Sequence, residues 1–118
     1  MQTEFEFSLP RGYVDESGQW HGNGRMRLAF AIDEVEAMND PRVQTNESYL
    51  PILLLSRVVT QLGTVTAVTP TTIERLFASD LAYLQELYLR LNSSEHVAVG
   101  AICPSCSTTF QVQVSPLG

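Results

Sequence analysis

Cys103-Pro104-Ser105-Cys106 is the stretch of this chain whose residue types and spacing could do chemistry. Two thiolates two residues apart in a hairpin turn can point at one metal ion, and knuckles of this kind supply half of a tetrahedral zinc site. The other half needs two more ligands. The candidates within the chain are His21, His96 and carboxylates, none at a recognisable zinc spacing, so a second protomer or a partner would have to complete the set. The pair is equally compatible with two reduced thiols that hold nothing. A redox couple is a third reading, although such pairs sit at a helix N-terminus in a βαβ setting. The flanks here, His96 to Cys103 and Phe110 to Val114, read as strands. Zinc is the cofactor the sequence raises, with Cys103 and Cys106 as candidate ligands.

No other constellation reaches a catalytic pattern. Serines are plentiful, but there is no G-x-S-x-G elbow, and neither histidine has a partner that spacing identifies. A lone loop histidine such as His21 is expected to be solvated. Glu4/Glu6 and Glu34/Glu36 alternate and read as solvated faces. Gly22-Asn23-Gly24 is turn-like, without the following lysine or the strand-to-helix setting of a phosphate loop. The expectation is a protein that is not an enzyme.

The elements that must position these residues are led by Thr69 to Asn92. Ile73, Leu76, Phe77, Leu81, Leu84, Leu87, Tyr88 and Leu91 recur at steps of three and four, the stripe of a core-facing helix. Thr69 and Pro70 read as N-cap and first helical residue. Asp80 falls inside the apolar stripe, so either it is buried and hydrogen-bonded or the helix breaks. The expectation is a break, with Ser79 or Asp80 capping a second helix that runs to about Leu91. Opposite the stripe, Arg75, Ala78, Ala82, Gln85 and Leu89 cluster. Ala82, Gln85 and Leu89 are candidate partner-binding residues there, unless that face is a second core contact.

Around that helix the chain is expected to be α+β: an N-terminal hairpin over residues 1–31, a helical part over 32–93 and a Cys-bearing hairpin over 96–114, all in one domain. Thr3 to Leu9 alternates as a half-buried strand ended by Pro10-Arg11-Gly12, and Asp15 to Gly18 supplies a turn. A second strand starts at Arg25, after a loop holding Trp20, His21, Gly22 and Gly24. Pairing would set Glu4 and Glu6 beside Arg25 and Arg27. Asp33 to Met38 is a short helix candidate. Asn46 to Leu62 reads as a helix apolar almost all round, with Pro51 in its first turn, Ser48 as its cap and Gly63 just past its end. Arg57 would snorkel from it to the surface, or meet a carboxylate such as Asp80.

Composition narrows the function classes. The 118 residues carry a formal charge of −6, and all seven basic residues are arginine. Without clustered cations to neutralise phosphates, nucleic acid and anionic membrane are not expected partners. The start, MQTEFEFSLP, lacks a positive segment followed by an apolar one, and Leu50 to Leu55 is far too short to span a bilayer. The expected location is cytoplasmic.

The order FSLPRGYVDESG with MRLA, DPRVQTNESYLPILLLSRVVTQLG, IERLFASDLAYLQELYLRLN and CPSCSTTFQVQV resembles the small tail-assembly proteins of contractile-tailed bacteriophages and of related contractile injection systems. The Cys hairpin is similar to that of baseplate-hub assembly chaperones in that group. The resemblance implies a non-enzymatic assembly factor or minor hub component that binds another tail protein, either the tape measure or a hub subunit. The alternative is a small zinc-ribbon-like regulatory or adaptor domain acting on transcription.

Overall fold

The computed structural model describes residues 1–93. The Cys hairpin expected over 96–114, with Cys103 and Cys106, lies outside them. The chain divides into two units, Met1–Tyr88 and Leu89–Gly118. The first is a small α+β unit. Of the second, the described residues are 89–93, which continue the last helix to Asn92.

Strands β1 (Glu4–Val14), β2 (Trp20–Arg27) and β3 (Val59–Leu62) form an antiparallel sheet in the order β1-β2-β3. The alternation of Phe7 and Leu9 against Glu6 and Ser8 is the alternation of buried and exposed positions. β1 does not end at Pro10. It bulges between Ser8 and Tyr13 and rejoins β2 at Tyr13↔His21 and Val14↔Trp20. Proline's missing N–H suits such a bulge, and Gly12 supplies a φ of 99°.

The segment expected as a loop, Trp20 to Gly24, is the first half of β2. Its glycines are places of close approach: a Cβ on Gly24 would lie 2.4 Å from the carbonyl oxygen of Gln61, so only glycine lets β3 pair here. On the outer sheet face Arg25 reaches Glu4 at 3.3 Å and Glu6 at 3.0 Å. Thr60 donates from β3 to Glu4. Arg27 turns away from Glu4 and Glu6, toward Asp33.

Helix α1 spans Ala31–Met38, and α2, Pro41–Thr45, follows behind Asp40, which accepts from the Arg42 N–H. A 3-10 turn at Glu47–Tyr49 leads into α3, Leu50–Val58. Pro51 sits in the first turn of α3, as expected, but Asn46 and not Ser48 is the capping side chain: it accepts the Ser48 N–H and hydroxyl and opens the 3-10 turn. The helix expected to reach Leu62 stops at Val58. Val59 is extended and begins β3. Val58, Val59 and Thr60 are β-branched, and from Val59 on the open edge of β2 offers ladder hydrogen bonds in place of helical ones.

Helices α4 (Pro70–Glu74) and α5 (Ala78–Asn92) replace one long helix. Thr69 and Thr72 cap α4 reciprocally, each hydroxyl accepting the other's backbone N–H. The expected break exists, but at residues 75–77, and Asp80 lies inside α5 as a buried residue. Ile73, Leu76, Leu84 and Tyr88 are buried with it, whereas Phe77, at the break, is exposed. The core also takes Phe7, Leu9, Tyr13 and Met26 from the hairpin and Ile52, Leu53, Leu55, Val58, Val59 and Leu62 from α3 and β3. Among the described residues no helix is long and apolar enough to cross a membrane.

Candidate functional site

Three carboxylates organise the first unit. Asp80 is completely buried, and its two oxygens accept the N–H groups of Arg11 and Gly12, each at 2.9 Å. These are donors of the β1 bulge, where the ladder to β2 is interrupted. The side chain thus joins α5 to β1 and satisfies backbone groups, that of Gly12 buried and that of Arg11 partly so, which the interrupted ladder leaves without a strand partner.

Asp33 is the second. One oxygen accepts from Arg27 Nη1 at 2.8 Å and from the Phe30 N–H at 2.7 Å; the other accepts from Arg27 Nη2 at 3.1 Å and Arg57 Nε at 2.9 Å. One buried carboxylate therefore ties β2, the start of α1 and the end of α3 together. The Arg27 hydrogen bonds hold its carboxyl well below the ordinary aspartate range, against the opposing effect of desolvation. Arg57 finds its partners here and at Glu36, 2.6 Å away, and not at Asp80.

The third is Asp15. Its carboxylate accepts from Ser17 and Gln19 within the hairpin turn and meets His21 Nε2 at 2.8 Å. His21 is buried rather than solvated. Its Nδ1 accepts the Thr64 N–H at 3.3 Å, so the ring proton is on Nε2 and goes to Asp15. The His21 hydrogen bond is the leading reason that the Asp15 carboxyl lies below its usual range. With both nitrogens engaged, His21 is not offered as a metal ligand. Among the described residues no group of three or more His, Cys, Asp or Glu is placed to hold a metal ion.

A cleft of about 690 Å3 borders the sheet, lined by Glu6, Ser8, Asn23, Arg25, Gln61 and Tyr83 among others. Much of its polar lining is already paired: Ser8 donates to Asn23 at 2.9 Å, and Arg25 holds Glu4 and Glu6.

The outward face of α1 has the opposite character. The buried residues of α1 are Asp33 and Ala37. At about 100° per residue, Val35 lies directly opposite them, with Ile32 and Met38 on either side. All three are more than half exposed, as is Phe30 at the helix start. The acids between are turned to the domain: Asp33 to Arg27 and Arg57, Glu36 to Arg57, and Glu34 to the hydroxyl of Tyr88. One acid of this helix, Asp33, is buried, Glu34 and Glu36 are exposed but paired with the domain, and the apolar residues face outward, where an ordinary surface helix would turn them to the core.

Of the residues singled out by spacing, Ala82 is exposed and Gln85 half-buried in the first unit, and Leu89, the first residue of the second, is 66% exposed. The α1 face is not among the residues that spacing singles out: Asp33 to Met38 reads only as a short helix, and periodicity does not say which side of a helix meets the domain. The signal that could have marked it is that Ile32, Val35 and Met38 share one helical face while Asp33, Glu34 and Glu36 share the rest, in a chain whose arginines lie on other elements and can draw those acids toward them. No protein-family model matches the chain, and no curated protein and no solved structure matches it.

Proposed function

We propose that this chain is a non-enzymatic assembly factor that docks another protein, with a tail protein of a phage-like contractile particle, tape measure or baseplate hub, as its client. The observation that carries the docking reading is α1, which displays Phe30, Ile32, Val35 and Met38 to solvent while its acids pair with other residues of the domain. Contiguous apolar surface kept exposed on a folded domain is characteristic of a protein-binding site. The buried titratable groups support it from the other side: Asp80, Asp33 and the Asp15–His21 pair are occupied in holding strands, turns and helices together. The contractile-tail setting rests on the resemblance of segment order alone. Ala82, Gln85 and Leu89 are a second proposed contact.

The test is deletion in cells that make such particles. The expected result is loss of particles, with the protein absent from purified wild-type ones. Unchanged particle yield overturns the assembly role, and a fixed copy number in mature particles makes the chain a hub component. In the same assay Leu89→Glu should fold within about 0.5 kcal/mol of wild type, as a substitution of an exposed residue does, and lose client capture.

A further inference from the structure

We infer that the outward face of α1 receives a short amphipathic helix of another protein, one whose polar side is basic. The inference rests on the docking reading above and names its occupant. Phe30, Ile32, Val35 and Met38, each more than half exposed, present on the order of 500 Å2, the size of a functional patch on a monomer. A standard interface buries ~800 Å2 on each partner, so the patch is too small to hold two copies of this chain together by itself. Charge argues the same way. A second copy would carry its own net charge of −6, and like net charge opposes association, whereas a basic segment is drawn in.

Shape supplies the rest. Ile32, Val35 and Met38 are three residues apart and make one ridge along a helix of eight residues, about 12 Å long at 1.5 Å per residue. A ridge of that length matches two to three turns of a partner helix laid beside it, the anchors of which recur at steps of three and four. Its borders are already fixed. Glu36 is held by Arg57 on one side and Glu34 by Tyr88 on the other. The Glu36 side chain remains 54% exposed, so it can meet a lysine or arginine of the incoming helix without leaving Arg57.

The experiment uses the full chain and a fluorescent synthetic 14-residue amphipathic peptide, leucines on one face and lysines on the other, with two controls: the same peptide with glutamate for lysine, and one with a central proline. Anisotropy should report saturable binding of the lysine peptide that weakens as salt rises, and at least tenfold weaker binding of both controls. Val35→Ser with Met38→Ser removes hydrocarbon without adding charge. It should weaken binding at least tenfold while the circular dichroism spectrum and melting temperature stay near wild type. If that pair does not fold, Ile32→Ser alone is read instead, with a several-fold loss expected. Equal binding by wild type and variant, or equal binding of lysine and glutamate peptides, overturns the inference. So does a micromolar dimer in sedimentation that the serine variant converts to monomer, which would assign the face to a second copy. Failure of the deletion test with peptide binding intact would instead remove the assembly setting and leave the surface standing.

Discussion

Asp80 is a case where one residue carries two elements. A carboxylate can take two convergent backbone N–H groups, and here it takes those of Arg11 and Gly12 in a bulge where β2 provides no partner. Asp80→Asn keeps the shape but turns an NH2 toward one of the two donors. The expected outcome is a loss of about 2 kcal/mol, the cost of leaving a buried donor unsatisfied, read from urea denaturation. A change below about 0.5 kcal/mol, the ordinary range of surface substitutions, would mean that the bulge N–H groups find other partners. The sequence marked Asp80 as anomalous and posed burial and helix breaking as alternatives. Both occur, three residues apart, because the break at residues 75–77 is what lets α5 turn Asp80 inward together with Leu84 and Tyr88, one turn and two turns further on.

Among the elements, α1 and β3 were the least legible, and for different reasons. Periodicity located a helix at Asp33 to Met38 but does not say which side meets the domain; Asp33 settles that by reaching two arginines on other elements. For β3, helical spacing continued through Val59 to Leu62, and the competing strand state became favourable only because β2 lay alongside with an open edge. That pairing requires Gly24 to have no side chain. Gly24→Ala would place a methyl 2.4 Å from the Gln61 carbonyl oxygen and against the ring of Phe7. The expected result is displacement of β3 with a loss of roughly 1–3 kcal/mol, as for overpacking. Hydrogen exchange should show faster exchange of the Gly63 N–H, which bonds the Asn23 carbonyl at 2.7 Å. Unchanged protection there would contradict the close approach.

At the scale of the whole molecule, the carboxylates set a pH dependence. Hydrogen bonds from Arg27 lower the Asp33 carboxyl and those from His21 lower Asp15, each from an ordinary 3.8. A group with a folded-state pKa below its unfolded value stabilises the fold above the unfolded value and stops doing so as pH falls through the folded one. The domain should therefore hold its melting temperature from pH 7 to about 5, roughly one pH step above the unfolded aspartate value, and lose it progressively below 4. Asp33→Asn should be less stable at pH 7 and show a shallower fall, with the two proteins converging at acid pH. Parallel curves would show that Asp33 is not a principal source of the dependence.

From the sequence alone came the α+β class, the first hairpin and its Asp15 turn, a capped helix at Thr69 and the apolar segment from Leu50. All of these rest on local periodicity and turn chemistry, which neighbouring residues determine. The sequence also fixed the acidic charge. Tertiary structure decided where helices end, which face of α1 looks outward and which partners Asp80, Asp33 and His21 find. Each of those outcomes is set by a donor or an open strand edge supplied from a distant part of the chain: 69 and 68 residues away for Asp80, and 43 for the Nδ1 of His21. Burial made such pairings obligatory, because a carboxylate or N–H withdrawn from water must be satisfied by whatever the fold brings beside it.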